Sequence, residues 1–336
     1  MDWVTLTMLE GIGLGVSRYF FSLGGAISPA LAYILFALVC AGLCQMLIGL
    51  VMTRVSKARL IASELWHIIG PIALGLGGLA ANTCAFAAFQ ASSRAEMAAS
   101  TFLATVPVIL LSAVFGRIKY GREKEPFGLR QVIGVLFAIV GAYLTIGFSV
   151  GFSVRWGIWA WFSLGTAVFA TTNEFISKEM ALWETRNGKP KLNKWVLQFW
   201  GGVMMIVAAS AGFFILADDP AQVATTGIGK LGLYGIGAGI CNVAWWTCRL
   251  TAYQGGAPVS IRRFPAIGMA LLTSTLIGLV ALGEPRLGEK LLGISLYIPA
   301  FFFGQNGSEK YLRRLLVAAR SRLRLRISPS GVSPVH

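Results

Sequence analysis

The sequence predicts an all-α integral membrane protein in which ten transmembrane helices form two inverted five-helix repeats. Three observations carry that expectation: an apolar composition, an alternation of basic segments along the chain, and short motifs that recur between its halves. Of the 336 residues, 56% are hydrophobic and only 13% charged, with a mean hydropathy of +0.70. A soluble domain carries about 25% charged residues and roughly 45–50% apolar ones. The 40 Gly and 10 Trp agree, because small residues let membrane helices approach closely and Trp favours the interface.

A spanning helix needs about 20 mainly apolar residues. Such stretches fall at 3–22, 30–53, 68–90, 95–116, 128–147, 156–177, 195–217, 228–250, 258–282 and 288–305. Lipid offers no partner to backbone polar groups, so runs of this length are helices; barrel strands would be short and alternating. Met1, Asp2 and Trp3 supply no basic leader, so the first span is expected to be retained rather than cleaved.

Basic residues accumulate in cytoplasmic loops. With the N-terminus inside, the inner segments hold Arg54, Lys57 and Arg59; Arg117 to Arg130; Lys178 to Lys194; Arg249, Arg262 and Arg263; and a tail from Lys310 to Arg326. The outer side receives only Arg94, Arg155, Lys230, Arg286 and Lys290, with Arg18 inside the first span. This bias predicts that both termini are cytoplasmic. It also accounts for the net charge of +15 without nucleic acid, which would need a solvated basic face. In the tail, Tyr311, Leu312, Leu315, Leu316, Ala319 and Leu323 form a helical stripe among arginines. Such a basic amphipathic segment suits anionic lipid. The five cysteines, Cys40, Cys44, Cys84, Cys241 and Cys248, all lie in apolar runs without metal-ligand spacing to His67 or His336. They read as small buried hydrophobes, and no metal or other cofactor is expected.

The halves repeat. Thr83–Gln90 (TCAFAAFQ) ends the third span and Thr247–Gln254 (TCRLTAYQ) ends the eighth. Glu125–Gly134 (EPFGLRQVIG) precedes and opens the fifth span as Glu284–Gly293 (EPRLGEKLLG) does the tenth. Proline in each opens a helix with its fixed φ. Residues 1–150 and 151–308 are therefore expected to be the two repeats, followed by the tail 309–336. Five spans per half turn the second half over in the membrane. Inverted repeats of this kind build secondary transporters, with the solute site near the midplane.

On these motifs the chain resembles the drug/metabolite transporter superfamily, in particular its EamA-like members. There an Ala-aromatic pair ends the third span of each half, as Ala88-Phe89 and Ala252-Tyr253 do here. A Gly-Glu element precedes the fifth, as Gly283-Glu284-Pro285 does. The loop 116–125 is longer than that pattern, and the usual proline of the ninth span is out of register. The resemblance implies a small-molecule carrier, often an exporter, in a bacterial inner membrane. Glu10, Gly13 and Arg18 are similarly spaced to a motif in the first helix of the small multidrug resistance transporters, whose glutamate exchanges protons for cationic drugs.

Ionisable side chains inside spans are functional candidates by default. Glu10 is expected to bind protons or substrate, and Arg18 to snorkel outward or to hold an anionic group. Asn82, Asn242, Trp245 and Trp246 lie within the third and eighth spans, which line the central cavity in the superfamily. An indole there suits a substrate cation, although helix packing explains the same residues. Glu174 is expected to neutralise Arg249, Arg262 or Arg263 as a structural ion pair or a gate. The sequence contains no nucleotide loop, His-Glu-x-x-His run or Gly-x-Ser-x-Gly elbow, so no catalytic residue is expected. Two rival readings stay open: a membrane-embedded lipid enzyme using Glu10, His67 or Glu174, and a non-transporting scaffold. A monomer suffices for two fused halves, and a homodimer is equally open.

Overall fold

The computed structural model describes residues 2–27, 31–61, 64–91, 94–121, 125, 127–150, 157–188, 190–217, 219–227, 229–282 and 287–304. Among them there is no strand. The helices are α1 (Trp3–Ile27), α2 (Leu31–Val55), α3 (Trp66–Ala91), α4 (Arg94–Tyr120), α5 (Leu129–Val150), α6 (Ile158–Arg186), α7 (Lys194–Leu216), α8 (Pro220–Gly227), α9 (Lys230–Gln254), α10 (Val259–Leu282), α11 (Leu287–Ser295) and α12 (Tyr297–Gly304). Three stretches, Leu31–Val55, Trp66–Ala85 and Lys194–Leu216, are long and apolar enough to cross a membrane. The basic tail, Glu284 and residues 151–156 and 283–286 lie outside the described residues.

The bundle combines an apolar exterior with polar and charged groups buried in a mainly apolar core. Large apolar side chains point outward: Leu43, Leu47 and Val51 on α2, Leu136 and Val140 on α5, Trp161 on α6, Ile215 on α7, and Leu233, Ile236 and Ile240 on α9 are exposed. Meanwhile Glu10, Gln45, Glu125, Glu174, Gln198 and Arg262 are fully buried. Water would not tolerate so much bare hydrocarbon on every side, whereas a bilayer supplies its partner. Buried polar groups must then satisfy one another. Gln45 on α2 does so by donating to Gln198 Oε1 on α7 at 2.9 Å. Gln198 in turn donates to Thr247 Oγ1 at 3.0 Å and Val243 O at 3.2 Å on α9.

α1 packs on α9 and α10, α6 on α3 and α4, α2 on α7 and α9, and α7 also on α3. α4 packs on α5 and α10, and α5 on α11 and α12. The α2–α7 crossing is close because Gly42 and Gly202 face each other. A Cβ on Gly202 would stand 2.6 Å from Met46 N and 2.8 Å from Gly42 O, both backbone atoms that cannot yield separately. Gly202→Ala is therefore expected to push α2 from α7 and cost about 1–3 kcal/mol, the range of core overpacking. A lower melting temperature in detergent checks this. Gly229→Ala, where a Cβ meets nothing within 4 Å, should cost only the preference for glycine at the α9 N-cap, about 1 kcal/mol or less.

Three local features depart from the sequence expectation. α6 continues past the predicted end of its span to Arg186, because Met180 and Ala181 are buried there and Met180 packs with Leu192, Val196 and Leu197. The short α8 forms outside any span: the Asp219 carboxylate accepts from Gln222 N at 3.0 Å and Pro220 occupies the first helical position, where its missing N–H is no loss. The stretch 288–305 is two helices meeting at Leu296, since Pro299 cannot donate to the carbonyl of Ser295.

A buried cluster of three arginines and two glutamates

The C-terminal part of α9 presents Trp245, Arg249 and Tyr253 at successive i, i+4 positions, which places them on one stripe. α10 then returns beside it. The reversal runs through Gly255 and Gly256, and Gly256 holds φ +85, a left-handed value that suits glycine. Arg262 and Arg263 in the first turn of α10 are thereby brought to face Arg249. Glu10 arrives from α1 and Glu174 from α6.

The contacts use both oxygens of each carboxylate. Glu10 Oε1 accepts from Arg249 Nε at 3.0 Å and lies 3.0 Å from Arg249 Nη2, while its Oε2 accepts from Arg262 Nη1. Glu174 Oε1 is 3.1 Å from Arg249 Nη2 and 2.5 Å from Arg263 Nη2. Its Oε2 accepts from Arg262 Nη2 and from the Tyr253 hydroxyl at 2.5 Å. Arg262 thus ties α1 to α6 with its two terminal nitrogens. Two rings flank the cations: Tyr253 lies 4.6 Å from the guanidinium carbon of Arg262, and Trp245 lies 4.4 Å from that of Arg249. Trp245 Nε1 donates to Asn242 Oδ1 at 2.8 Å, and Ser17 Oγ on α1 donates to the same oxygen at 3.2 Å.

Glu10, Glu174 and Arg262 are 0% exposed, Arg263 is 4% and Arg249 is 5%. The surroundings are apolar: Ile261 and Phe264 belong to one buried cluster, Trp246 and Leu250 to a second, Ala257 and Val259 to a third. Burying charges costs several kcal/mol each unless their mutual attraction and hydrogen bonds offset it. Five charged groups contributed by four helices meet that condition for most of their atoms. Arg262 Nε and Arg263 Nε, with Trp246 Nε1 alongside, have no hydrogen-bond partner, and Glu174 Oε1 is held by ion pairing with Arg249 and Arg263 without an aligned hydrogen bond.

A second buried anion lies close by. Glu125, in the loop between α4 and α5, accepts from Val259 N at 3.0 Å, Ser260 N at 2.9 Å and Ser260 Oγ at 2.7 Å. It also receives Lys178 Nζ from α6, and that ammonium stands 4.6 Å from the centre of the Tyr120 ring. Glu125 therefore caps α10 at the turn that carries Arg262 and Arg263. Beyond the span of α6, Glu184 accepts from Leu192 N at 2.5 Å. Burial pushes its carboxyl up, with that backbone bond and Gln254 pulling the other way.

Of the residues singled out from sequence, Glu10, Glu174, Arg249, Arg262 and Arg263 meet in one cluster, with Asn242 and Trp245 at its edge. Glu10, expected to bind protons or substrate, shares two arginines with Glu174. These five converge where α1, α6, α9 and α10 meet. Trp246 meets the Trp245 ring edge-on, with centroids 5.5 Å apart, and lines a crevice together with Arg249. Asn82 is half-buried on α3, which packs on α6 and α7 rather than on α1 or α10. The side chain of Arg18 lies outside the described residues. His67 is buried at the start of α3, where Glu64 is its charged neighbour. Sequence reasoning passed over Tyr253, Glu125 and Asn173 as site residues. The i, i+4 stripe on α9 was a readable signal for Tyr253, but the other two depend on tertiary contacts.

No protein-family model matches the chain, and no curated protein matches it. Among solved structures, a crystal structure described only as that of a protein is similar to it with a TM-score of 0.60. The identity is 15%, over 90% of this chain and 98% of the other. At that identity the likeness speaks for the fold alone.

Proposed function

We propose that the chain is a secondary transporter of a small organic solute. It works by alternating access between two inverted five-helix halves, and the arginine–glutamate cluster is its cytoplasmic closure. The observation that carries this reading is a fully buried five-charge network joining α1 of the first half to α6, α9 and α10 of the second. Such a network is costly to keep as mere packing, and intramembrane charges in multispan proteins serve substrate or ion pathways.

Helix packing supports the inverted repeat. Pair α1 with α6, α2 with α7, α3 with α9, α4 with α10, and α5 with the broken α11–α12. Exchanging partners then turns α1 on α9 and α10 into α6 on α3 and α4, and α2 on α9 into α7 on α3. The α2–α7, α4–α10 and α5–α11/α12 contacts map onto themselves. On a ten-span reading, the basic loops favour the cytoplasmic side for both termini and the ion cluster. The solute would enter from the opposite side. Parting the guanidiniums from Glu10 and Glu174 would open the path inward, and a proton taken up by either carboxylate would favour that parting.

The test is flux in proteoliposomes loaded with a metabolite and drug panel, with and without an imposed pH gradient. Saturable flux of at least one solute is expected. Glu10→Gln fixes the neutral form, so the closure can no longer re-form on proton release. Flux should fall by about tenfold or more, the worth of one charge-assisted contact at roughly 1.5–3 kcal/mol. Full proton-coupled flux in the Gln variant would remove the carboxylate from the mechanism, and no flux for any solute would remove the carrier reading.

A further inference from the structure

The charges of the buried cluster do not balance. Three guanidiniums face two carboxylates, and the neighbouring Glu125 is already matched by Lys178. Helix ends do not supply the missing negative charge. The C-terminus of α9 is partly negative, but the N-terminus of α10 beside it is partly positive. Arginine does not shed its proton to escape burial. The described residues therefore hold one uncompensated positive charge in an apolar surrounding, together with the unpartnered donors Arg262 Nε, Arg263 Nε and Trp246 Nε1.

One crevice leads to this charge. Its walls are Leu74 from α3, Asn173 and Ser177 from α6, Leu197 from α7, and Trp246, Arg249 and Leu250 from α9. It is collapsed here and leaves no room for a water molecule, yet two of the residues that line it carry unpartnered polar atoms. Trp246 is 4% exposed with a free indole N–H, and Asn173 is 3% exposed with Oδ1 unpartnered. Rotating that amide by 180° presents its NH2 instead. A cation would meet Arg249 at the end of the crevice and be repelled. An oxyanion would meet a guanidinium, an indole N–H and an amide, and would cancel the excess charge.

We propose that this crevice receives the anionic end, a carboxylate or a phosphate, of the transported solute. Arg249 is its charge partner and Trp246 Nε1 a hydrogen-bond donor. The proposal rests on the carrier reading only for the word transported; binding itself does not. Because α3 belongs to the first half and α6, α7 and α9 to the second, rocking the halves would part the walls. An oxyanion held by Arg249 would then compete with Glu10 and Glu174 for it, coupling solute binding to loosening of the closure.

The test uses the purified full-length protein in detergent, melted in increasing sodium benzoate, sodium phosphate or sodium citrate against sodium chloride at equal ionic strength. Benzylamine hydrochloride is the cationic control. At least one oxyanion should stabilise the protein saturably and benzylamine should not. Asn173→Asp brings a fixed negative charge to the crevice and should weaken the anion's apparent affinity about tenfold or more. Trp246→Phe keeps a ring without the N–H and should weaken it about fivefold, one hydrogen bond's worth. If Asn173→Asp no longer melts cooperatively, Trp246→Phe decides alone. Absence of stabilisation by all three oxyanions, saturable stabilisation by benzylamine, or unchanged anion affinity in the folded variants would overturn the proposal. The best-binding oxyanion is then offered to proteoliposomes. Binding without flux keeps the site and removes the carrier reading; flux of cations or neutral solutes without anion binding does the reverse.

Discussion

Arg262→Met is expected to be the most destabilising single substitution in the cluster, by about 3–5 kcal/mol, the range for breaking a buried ion pair. The variant's net charge does not predict this, since two arginines would then face two carboxylates. Geometry does. Arg262 is the described hydrogen-bond donor to Glu10 Oε2 and also the link between Glu10 and Glu174. Its removal leaves Glu10 half-satisfied at 0% exposure and Tyr253 without the cation over its ring. Arg263→Met is the informative comparison. Its contact on Glu174 Oε1 is shared with Arg249, and its other contact is a 3.4 Å bond to the Ala170 carbonyl. A loss of about 1–2 kcal/mol is expected there, near that of one hydrogen bond to a charged group. Equilibrium unfolding in detergent micelles ranks the two. Equal losses, or an Arg262 variant as stable as the parent, would show that the cluster is not held as described.

How much of this could be read in the chain follows from which forces act locally. Helix positions were legible because a bilayer imposes length and apolarity residue by residue, and Trp3, Leu31, Lys194 and Val259 all begin helices close to the expected starts. The break at Leu296 was locally encoded too, in Pro299, but a proline inside a membrane helix is often tolerated, so its effect was not decidable from sequence. Glu174, Arg249, Arg262 and Arg263 were legible as costly intramembrane charges with plausible partners nearby in topology. Glu10 joining them was not: it lies 239 residues from Arg249, and only the packing of α1 on α9 and α10 closes that distance. Asn173 illustrates the same limit. Its neighbour Gly77 admits the amide because a Cβ there would stand 2.1 Å from Asn173 Oδ1, a fit between α3 and α6 that no periodicity announces. Glu125 was read as half of a repeated Glu-Pro motif, and its helix-capping role is written in the position of α10 rather than in its own neighbourhood.

That capping role leads to the second large effect. Glu125→Gln is expected to cost about 3–5 kcal/mol and to loosen the first turn of α10 selectively. The glutamate is 0% exposed and serves four donors: Val259 N, Ser260 N, Ser260 Oγ and Lys178 Nζ. An amide of the same shape offers one acceptor oxygen in place of two and removes the carboxylate charge that faces the Lys178 ammonium. Hydrogen exchange read by mass spectrometry should show the amides of Val259 and Ser260 exchanging about tenfold faster or more, since a lost cap frees about 1–2 kcal/mol locally. Protection in the middle of α10 should change less. Lys119→Gln provides the contrast: its 3.2 Å pair with Glu179 is half exposed, and exposed pairs contribute about 0–1 kcal/mol. Because Arg262 and Arg263 ride on the turn that Glu125 holds, loosening it also slackens the grip of both arginines on Glu174. A Glu125→Gln variant that keeps native protection at Val259 and Ser260 would sever that connection and leave the loop as packing alone.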